Sequence, residues 1–233
     1  MAAPKRLEIN SELHRRKILL KAANLFLSQG YTQTTLRELA RESDVNIGSL
    51  MHLFENKENI LCALVGLVLD GQFSATESLL KDSTDDKILF WAAETTLQLY
   101  MAESSEQLRD LYLTAYSLPK STEIIRRRIA EKLGEYFLPY NPGYQEKDFY
   151  EMEIATGSII RGFMSVPCDM YFTMEAKVSR YLETSFRVYR VPPEKTQEAI
   201  KFVSRFDFRQ IAKDVLDSLL CAMAEEIEES SEI

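Results

Sequence analysis

Apolar residues recur at three- and four-residue spacings along most of this 233-residue chain, beginning with Ile18, Ala22 and Phe26. This spacing is that of an α-helix with one buried face. Only eight glycines and seven prolines interrupt it, which favours long helices over a turn-rich β structure. The pattern therefore predicts an all-α fold.

Capping residues and helix breakers set the predicted helix boundaries. Gly30 is typical of the residue that ends a helix. Thr35 begins the sequence Thr-Leu-Arg-Glu, a capping box, and Asn46 is the expected N-cap of a short third helix. Asp207 begins a second capping box. The predicted helices span approximately residues 11–29, 35–44, 46–53, 56–80, 84–103, 105–117, 120–138, 146–166, 168–190, 194–205 and 208–228.

Charge is unevenly distributed along the chain. The formal net charge is −8, yet residues 1–57 carry nine Lys/Arg against six Asp/Glu, an excess of three positive charges, which leaves −11 for the remainder. A basic end on an acidic body suggests a polyanionic partner for that end alone.

Cysteine usage and the chain start favour a cytoplasmic protein. Cys62, Cys168 and Cys221 are odd in number and widely spaced, so we expect buried, reduced thiols and neither a disulfide framework nor a zinc site. The first ten residues contain no apolar stretch of the kind found in signal peptides. The longest apolar run, 60–69, is too short to span a membrane.

Residues 35–54 contain two short predicted helices joined by a tight turn and preceded by a longer helix. This order is that of a helix-turn-helix, whose second helix enters the major groove of DNA. The apolar positions fit a three-helix core. They are Ile18, Ala22, Phe26, Leu36, Leu39, Ala40, Val45, Leu50 and Phe54.

The motif residues from Ile18 to Leu61 resemble the N-terminal domain of the TetR family of bacterial transcriptional regulators. The resemblance rests on Ile18, Ala22, Leu25, Phe26, Gly30, Tyr31, Thr34, Thr35, Leu39, Ala40, Val45, Gly48, Ser49, Leu50, Phe54, Lys57, Glu58 and Leu61. It implies a DNA-binding domain over 1–57 and a larger helical domain over 58–233 that binds a small-molecule effector and dimerises. It implies no cofactor.

Three positions of the motif raise specific expectations. Gly48 either lets the backbone approach DNA closely or permits tight packing against the second helix. Met51 stands where the family usually has a tyrosine that touches the DNA backbone; a methionine can instead pack on a thymine methyl. Asp44 stands where the family usually has glycine, and aspartate tolerates a left-handed turn better than most residues.

Residue chemistry then divides the candidate DNA contacts. Thr35 and Arg37, at the start of the second helix, and Lys57, at the start of the fourth, are placed to hold phosphates. Candidates for base edges are Asn46, Ile47, Ser49 and His52; His52 can equally contact phosphate or be a solvated surface residue. The basic run 15–17 is either a solvated face or a supporting DNA contact.

The resemblance implies a homodimer, since one short helix reads few base pairs and two copies about one DNA turn apart read a palindrome. The candidate dimer elements are the helix at 146–166, with small residues at Gly157, Ser158 and Gly162, and the last helix, with an apolar seam. The seam consists of Leu216, Leu219, Leu220 and Met223. Ordinary intramolecular packing is the alternative for both.

Aromatic residues with polar tips between 84 and 138 are candidates for an effector pocket, although each can instead belong to the core. They are Trp91, Tyr100, Tyr112, Tyr116 and Tyr136. Arg161 is the only charge between Ile154 and Cys168, so it is either buried beside a carboxylate or exposed on the surface.

Three functions remain open from the sequence. The first is a DNA-binding regulator, a repressor or less commonly an activator, whose fourth helix shifts when an effector fills the pocket. The second is a DNA-bound adaptor without a ligand; a pocket filled by side chains would favour it, and an empty apolar cavity would favour the first. An enzyme is a remote third, since the chain contains no Glu-x-x-His pair, nucleophile elbow or phosphate loop.

Overall fold

The structure, a computed structural model, describes the backbone of residues 3–231 and the side chains of residues 11–228. Helices make up 79 % of the chain, and residues 3–231 contain no strand. The predicted all-α fold is confirmed. The helices are α1 (Ala3–Gln29), α2 (Leu36–Glu42), α3 (Ile47–Phe54), α4 (Lys57–Leu80), α5 (Lys87–Glu103), α6 (Glu106–Ala115), α7 (Pro119–Phe137), α8 (Glu146–Met164), α9 (Met174–Val188), α10 (Pro193–Val203) and α11 (Phe208–Ser231).

Two predicted helix starts are wrong. The first helix begins at Ala3 and not at Ser11, since the intervening sequence holds no breaker other than Pro4, which a first helical turn tolerates. The ninth begins at Met174 and not at 168. The Asp169 carboxylate accepts hydrogen bonds from the backbone N–H groups of Tyr171 and Phe172 at 2.8 and 2.7 Å, which holds this segment in a turn.

The first four helices share a small hydrophobic core. The predicted helix-one face of Ile18, Ala22 and Phe26 is fully buried in it. Leu50 and Phe54 of α3 pack against this face, and the start of α4 closes the core with Ile60 and Leu64. The side chains of residues 1–10, including the basic Lys5 and Arg6, lie outside the described part of the chain.

A larger hydrophobic core unites α4 to α11. It contains Leu61 and Val65, which alternate along α4 with Ile60 and Leu64 of the small core. One helix therefore contributes to both cores, and the division of domains at residues 57 and 58 stays a prediction. By length and composition α4 could cross a membrane, but core helices meet the same test, and α4 packs against six other helices of this protein.

Helix α11 packs along α1, α4 and α5 of its own chain. Leu216 and Leu219 are half-buried against the large core, and a Cβ built on Gly71 of α4 would lie 2.5 Å from Leu219 Cδ2. Met223 packs against the small core. Three of the four predicted seam residues of α11 thus face the protein interior, as the intramolecular alternative requires, and Leu220 is half-buried.

The outward face of α8 contrasts with that of α11. It exposes Ile154, Ala155, Ser158 and Gly162 with Arg161 beside them, whereas the exposed face of α11 is mostly charged. The expectation of buried thiols is wrong for Cys221, which is exposed on α11; Cys62 and Cys168 are half-buried.

Gly30 ends α1 with a φ of +89°, and its backbone N–H donates to Phe26 O at 3.0 Å. A Cβ there would meet no atom within 4 Å, so only backbone strain opposes a side chain. Gly30→Ala should therefore lower the free energy of unfolding by about 1–2 kcal/mol, as measured by urea denaturation.

Gly66→Ala is the matched control for this exchange. Gly66 lies inside α4, where a Cβ would meet only the Arg128 guanidinium at 3.7 Å. The variant should be more stable than wild type by roughly 0.5–1 kcal/mol, since alanine is the better helix former. Equal effects of the two exchanges would contradict the left-handed strain at Gly30.

Candidate functional site

The turn between α2 and α3 is closed by backbone hydrogen bonds around a left-handed aspartate. Asp44 has a φ of +53°. The backbone N–H of Val45 donates to Ala40 O at 3.0 Å, and that of Asp44 to Arg41 O at 3.2 Å. These bonds satisfy carbonyls at the end of α2 in the manner of a Schellman motif. The expectation that Asp44 adopts the left-handed conformation is confirmed.

Thr35 and Asn46 begin the two helices of the motif. Thr35 Oγ1 accepts from the Glu38 backbone N–H at 3.2 Å, and Asn46 Oδ1 accepts from the Ser49 backbone N–H at 2.8 Å. The Glu38 carboxylate accepts from Gln29 Nε2 at 2.9 Å, so the described hydrogen bonds give only the threonine half of the predicted capping box.

Gly48 lies directly beside the cap of α3. A Cβ at this position would lie 3.2 Å from Asn46 Oδ1, and no atom of α2 lies within 4 Å of it. The glycine therefore leaves room for the Asn46 side chain to hold the first turn of α3. Packing against α2 does not explain it.

One face of α3 is buried and the other is exposed. Leu50 and Phe54 lie in the core, while Asn46, Gly48 and His52 are exposed and Ser49 is half-buried. Ile47 and Met51, one turn apart, are 44 % and 42 % exposed. The exposed face of α3 therefore combines apolar groups, which can contact a thymine methyl, with polar groups, which can reach base edges.

The cations around α3 differ in what they contact. Arg37, at the start of α2, is exposed. Lys57 Nζ donates to Tyr31 O at 2.7 Å and Thr34 O at 2.8 Å, and lies 4.2 Å from the Tyr31 ring centroid. Partial burial lowers the pKa of Lys57. An ammonium has three N–H donors, so Lys57 ties α4 to the loop before α2 and keeps one donor for a further acceptor.

The three basic residues 15–17 on α1 also differ in what they contact. The Arg15 guanidinium lies 4.9 Å from the ring centroid of Phe54 at the end of α3. Arg16 Nη1 donates to Glu226 O at 3.0 Å and so joins α1 to α11. Lys17 is half-buried. Of the three, Arg15 is the one placed against α3.

An apolar cavity of ≈ 60 Å³ lies between α4, α5, α6 and α11. Apolar side chains form most of its wall, including the leucines and valines of α4, Leu108 and Leu216. Two hydrogen-bonded polar pairs border it: Gln72 Nε2 donates to Tyr112 OH at 2.6 Å, and Gln98 Nε2 donates to Tyr116 OH at 3.1 Å.

A second, smaller cavity of ≈ 10 Å³ adjoins the first, since Gln98 and Tyr116 line both. We call it the carboxyl pocket, because its wall contains Glu94 and Glu153, which are 1 % and 3 % exposed. Burial raises the pKa of each carboxyl group to about 8. Gly157 makes room for one of them: a Cβ there would lie 2.7 Å from Glu153 Oε1.

The structure brings together three of the six residues predicted as effector contacts, and Tyr136 lines neither of the two cavities. Tyr112 and Tyr116 line the apolar cavity, and Trp91 and Tyr116 line the carboxyl pocket. Tyr100 instead borders an outer cleft near Cys168. Arg161 is exposed and donates to Ser117 Oγ at 3.2 Å, so it is the surface alternative that holds.

Glu94 and Glu153 are candidate functional residues that the sequence reasoning missed. A signal existed for Glu94, which is the only charged residue between Lys87 and Glu103 in an otherwise apolar helix. No such signal marks Glu153, because charged residues surround it in the sequence. Only the packing of α8 against α7 and α5 selects it from among them.

Helix α4 connects the cavity to the motif. Leu64 lines the cavity and is also a member of the small core that holds α3. At the start of α4, the Glu58 carboxylate accepts from the Lys120 backbone N–H at 2.8 Å, which joins this end to α7. Any displacement of α4 by a molecule in the cavity would therefore reach the exposed helix.

Comparison with known proteins agrees with this arrangement. The family model for bacterial regulatory proteins of the tetR family matches residues 18–64. The probable HTH-type transcriptional regulator YttP of Bacillus subtilis (strain 168) is 25 % identical over 161 residues, which cover 69 % of this chain and 72 % of that protein. The HTH-type transcriptional repressor KstR2 of Rhodococcus jostii (strain RHA1) is 30 % identical over 82 residues, 35 % of this chain and 40 % of that protein.

A solved structure also resembles the chain. It is that of a gamma-butyrolactone receptor described as ArpA-like, with a TM-score of 0.47 and 17 % sequence identity. The superposition covers 86 % of this chain and 98 % of that one.

The buried acid Glu94 predicts a specific pH dependence of stability. Its folded-state pKa is raised to about 8 from 4.5, so its stabilising contribution is complete below pH 4.5 and is lost as the pH rises through 8. Glutamine is neutral throughout. The stability of Glu94→Gln relative to wild type should therefore increase from pH 5 to pH 8, by up to about 1.4 kcal/mol per pH unit, in urea titrations at fixed protein concentration.

Glu131→Gln, on the exposed face of α7, provides the same chemical exchange without burial and should not reproduce this slope. A stability difference between Glu94→Gln and wild type that stays constant from pH 5 to pH 8 would contradict a neutral buried acid.

Proposed function

Because this chain belongs to the TetR family of bacterial transcriptional regulators, we propose that it is a sequence-specific DNA-binding repressor that a small-molecule effector releases from a palindromic operator. The observation that carries the proposal is the exposed face of α3, where Ile47 and Met51 stand in solvent beside a capped helix start. We propose α3 as the recognition helix, acting in the cytoplasm, with no cofactor and no enzymatic activity.

The candidate contacts have complementary roles in this proposal. Thr35, Arg37 and the remaining donor of Lys57 hold phosphates and fix the register. Ile47 and Met51 meet thymine methyl groups, and Ser49 and His52 lie toward base edges or phosphate. Asn46 Oδ1 is engaged in the helix cap, so its amide N–H₂ is the group left to donate to a base.

Dimerisation is needed because α3 has only eight residues and contacts few base pairs. We propose a homodimer formed through α8, whose outward face carries Ile154 and the small residues Ala155, Ser158 and Gly162. Small residues on one helix face permit close approach of a second helix. The exposed face of α11 carries several charges, among them Lys213, Asp214, Asp217 and Glu225, which would lose their hydration if this face were buried against a second copy.

The apolar cavity is the place where an effector would bind, and its small size keeps the ligand-free adaptor as the alternative function. Its volume of ≈ 60 Å³ is well below the roughly 300–1,000 Å³ of most small-molecule sites. An effector would therefore have to push α4 away from α5 and α6. Because α4 also anchors α3 through Leu64, this displacement would change the separation of the two recognition helices and lower affinity for the operator.

Selection of bound sequences from a random DNA pool, followed by binding to the selected duplex, tests the proposed contacts. Arg37→Gln should keep the selected sequence but reduce the slope of log Kd against log salt by about two, one phosphate contact per half-site. Asn46→Ser keeps a capping oxygen but loses the amide, so it should change the selected sequence and weaken the original site about tenfold or more.

Arg187→Gln is the charge-matched control, because Arg187 is exposed on α9, far along the chain from the motif. This variant should leave both the selected DNA sequence and the salt slope unchanged. Wild-type protein that selects no common sequence, or Arg37 and Asn46 variants that bind like wild type, would refute these assignments.

The α8 interface is tested by placing a charge on it. Ser158→Arg should make the protein monomeric in sedimentation velocity, because two guanidinium groups would be brought together at the two-fold axis. It should also weaken binding to a palindromic duplex by more than tenfold, since the two half-sites are no longer linked.

Ser218→Arg introduces the same exchange on the exposed face of α11 and should remain dimeric. If Ser218→Arg separates the subunits and Ser158→Arg does not, the interface lies on α11.

A further inference from the structure

The carboxyl pocket holds two buried acids, Glu94 and Glu153. None of the residues that line it is Lys, Arg or His, and Glu94 Oε1 has no hydrogen-bond partner among the described residues. Buried carboxyl groups are costly unless they are neutral or paired. Of the two acids, Glu94 has no hydrogen bond to Oε1 and no basic neighbour among the described residues, which indicates a place for a cationic partner from outside the chain.

Aromatic side chains surround the two acids. Trp91, Tyr116, Tyr181 and Tyr189 line the same pocket, and Trp91 and Tyr189 pack edge to face with ring centroids 6.2 Å apart. The faces of tryptophan and tyrosine attract cations, most strongly where water is excluded. Carboxylates and aromatic rings together make an environment that stabilises a positively charged nitrogen.

The neighbouring cavity has the opposite character. Its wall is formed mainly by the apolar side chains of α4, α5 and α6, and Gln98 and Tyr116 form the border between it and the carboxyl pocket. An apolar cavity and an acidic, aromatic one therefore lie next to each other, with Gln98 and Tyr116 between them.

We propose that the effector is an amphiphile with one positively charged nitrogen, its apolar chain lying along α4 and its ammonium group beside Glu94. The effect of this ligand on DNA binding rests on the proposed function. The binding of a cationic amphiphile is inferred from the two cavities alone.

Glu94 is the principal counter-ion, and Glu153 the lesser one. Glu153 accepts a hydrogen bond from Thr156 Oγ1 at 2.9 Å, and on its outer side it borders a surface cleft lined by Arg126 and Arg161. The positive charge of Arg126 lowers the pKa of Glu153, although burial raises it more. No such charge acts on Glu94, whose pKa is raised by burial alone.

Binding of the cation is therefore linked to loss of a proton from Glu94. Titratable groups from four helices face Glu94. They are Tyr112 within α6, Tyr116 directly after α6, Tyr136 on α7, Glu153 on α8, and Tyr181 and Tyr189 at α9. Burial raises the pKa of each of these tyrosines, so they stay neutral below pH 9. Affinity for a cation should rise with pH up to about 8 and then level off.

Trp91 provides a direct readout, because it is the only tryptophan of the chain and lines the carboxyl pocket. The full-length protein is titrated with n-octylammonium, which stays charged near neutral pH as lysine does, and with n-octanol, which has the same chain and no charge. Octylammonium should change Trp91 fluorescence saturably at pH 8, and octanol should bind at least tenfold more weakly. Between pH 6 and pH 8 the octylammonium Kd should fall by up to tenfold per pH unit.

Variants assign the charge. Glu94→Gln should weaken octylammonium at least tenfold, remove the pH dependence and leave octanol unchanged; Glu153→Gln should have a smaller effect. Glu131→Gln, exposed on α7, should bind like wild type, and thermal melts of each variant confirm that it is folded. Equal affinities for the two ligands, undiminished octylammonium binding by folded Glu94→Gln, or no saturable change in Trp91 with either ligand would each overturn the proposal.

The ligand inference and the proposed function can fail separately. Binding of octylammonium is measured without DNA, and selection of an operator is measured without ligand. If the protein selects no DNA but shows the charge-dependent Trp91 response, the proposed cation site is supported and the proposed regulatory function is refuted.

Discussion

The sharing of α4 between two hydrophobic cores is the constraint on which the rest of the structure depends. Successive residues of this helix face different partners: Ile60 and Leu64 close the core that holds α3, while Leu61 and Val65 enter the core of the larger helical body. Interiors are close-packed and resist continuous deformation. A helix that is packed on both faces moves as a unit. A change in packing at the cavity therefore also changes the position of α3.

The same helix explains why the candidate effector site lies where it does. The leucines and valines of α4 leave a small apolar space against α5 and α6, and Gln72 and Gln98 hold tyrosine hydroxyls at its border. Beyond it, Glu94 and Glu153 are buried at a cost in free energy that hydrogen bonding offsets only for Glu153. Proteins tolerate such local costs at functional sites more readily than elsewhere, which is the physical reason to place binding chemistry there.

Much of the motif was predictable because its determinants are local. The caps at Thr35 and Asn46, the left-handed turn at Asp44 and the stop at Gly30 each depend on residues within a few positions in sequence. The roles of Lys57 and Gly48 were less visible. Lys57 is held by carbonyls of Tyr31 and Thr34, more than twenty residues earlier, and Gly48 accommodates a side-chain rotamer of Asn46.

The sequence by itself determined that the chain is helical, where most helices begin and end, which residues form the three-helix core and which face of α3 is polar or exposed, since helical periodicity and capping act over one or two turns. Only the tertiary structure decided that the α11 seam faces inward, that Arg161 is exposed, and that Glu94 and Glu153 meet in one pocket. These outcomes depend on how helices that are far apart in the sequence pack together. Whether a side chain on a helix is buried is decided by the helix that lies against it, and the periodicity of its own helix does not specify which helix that is.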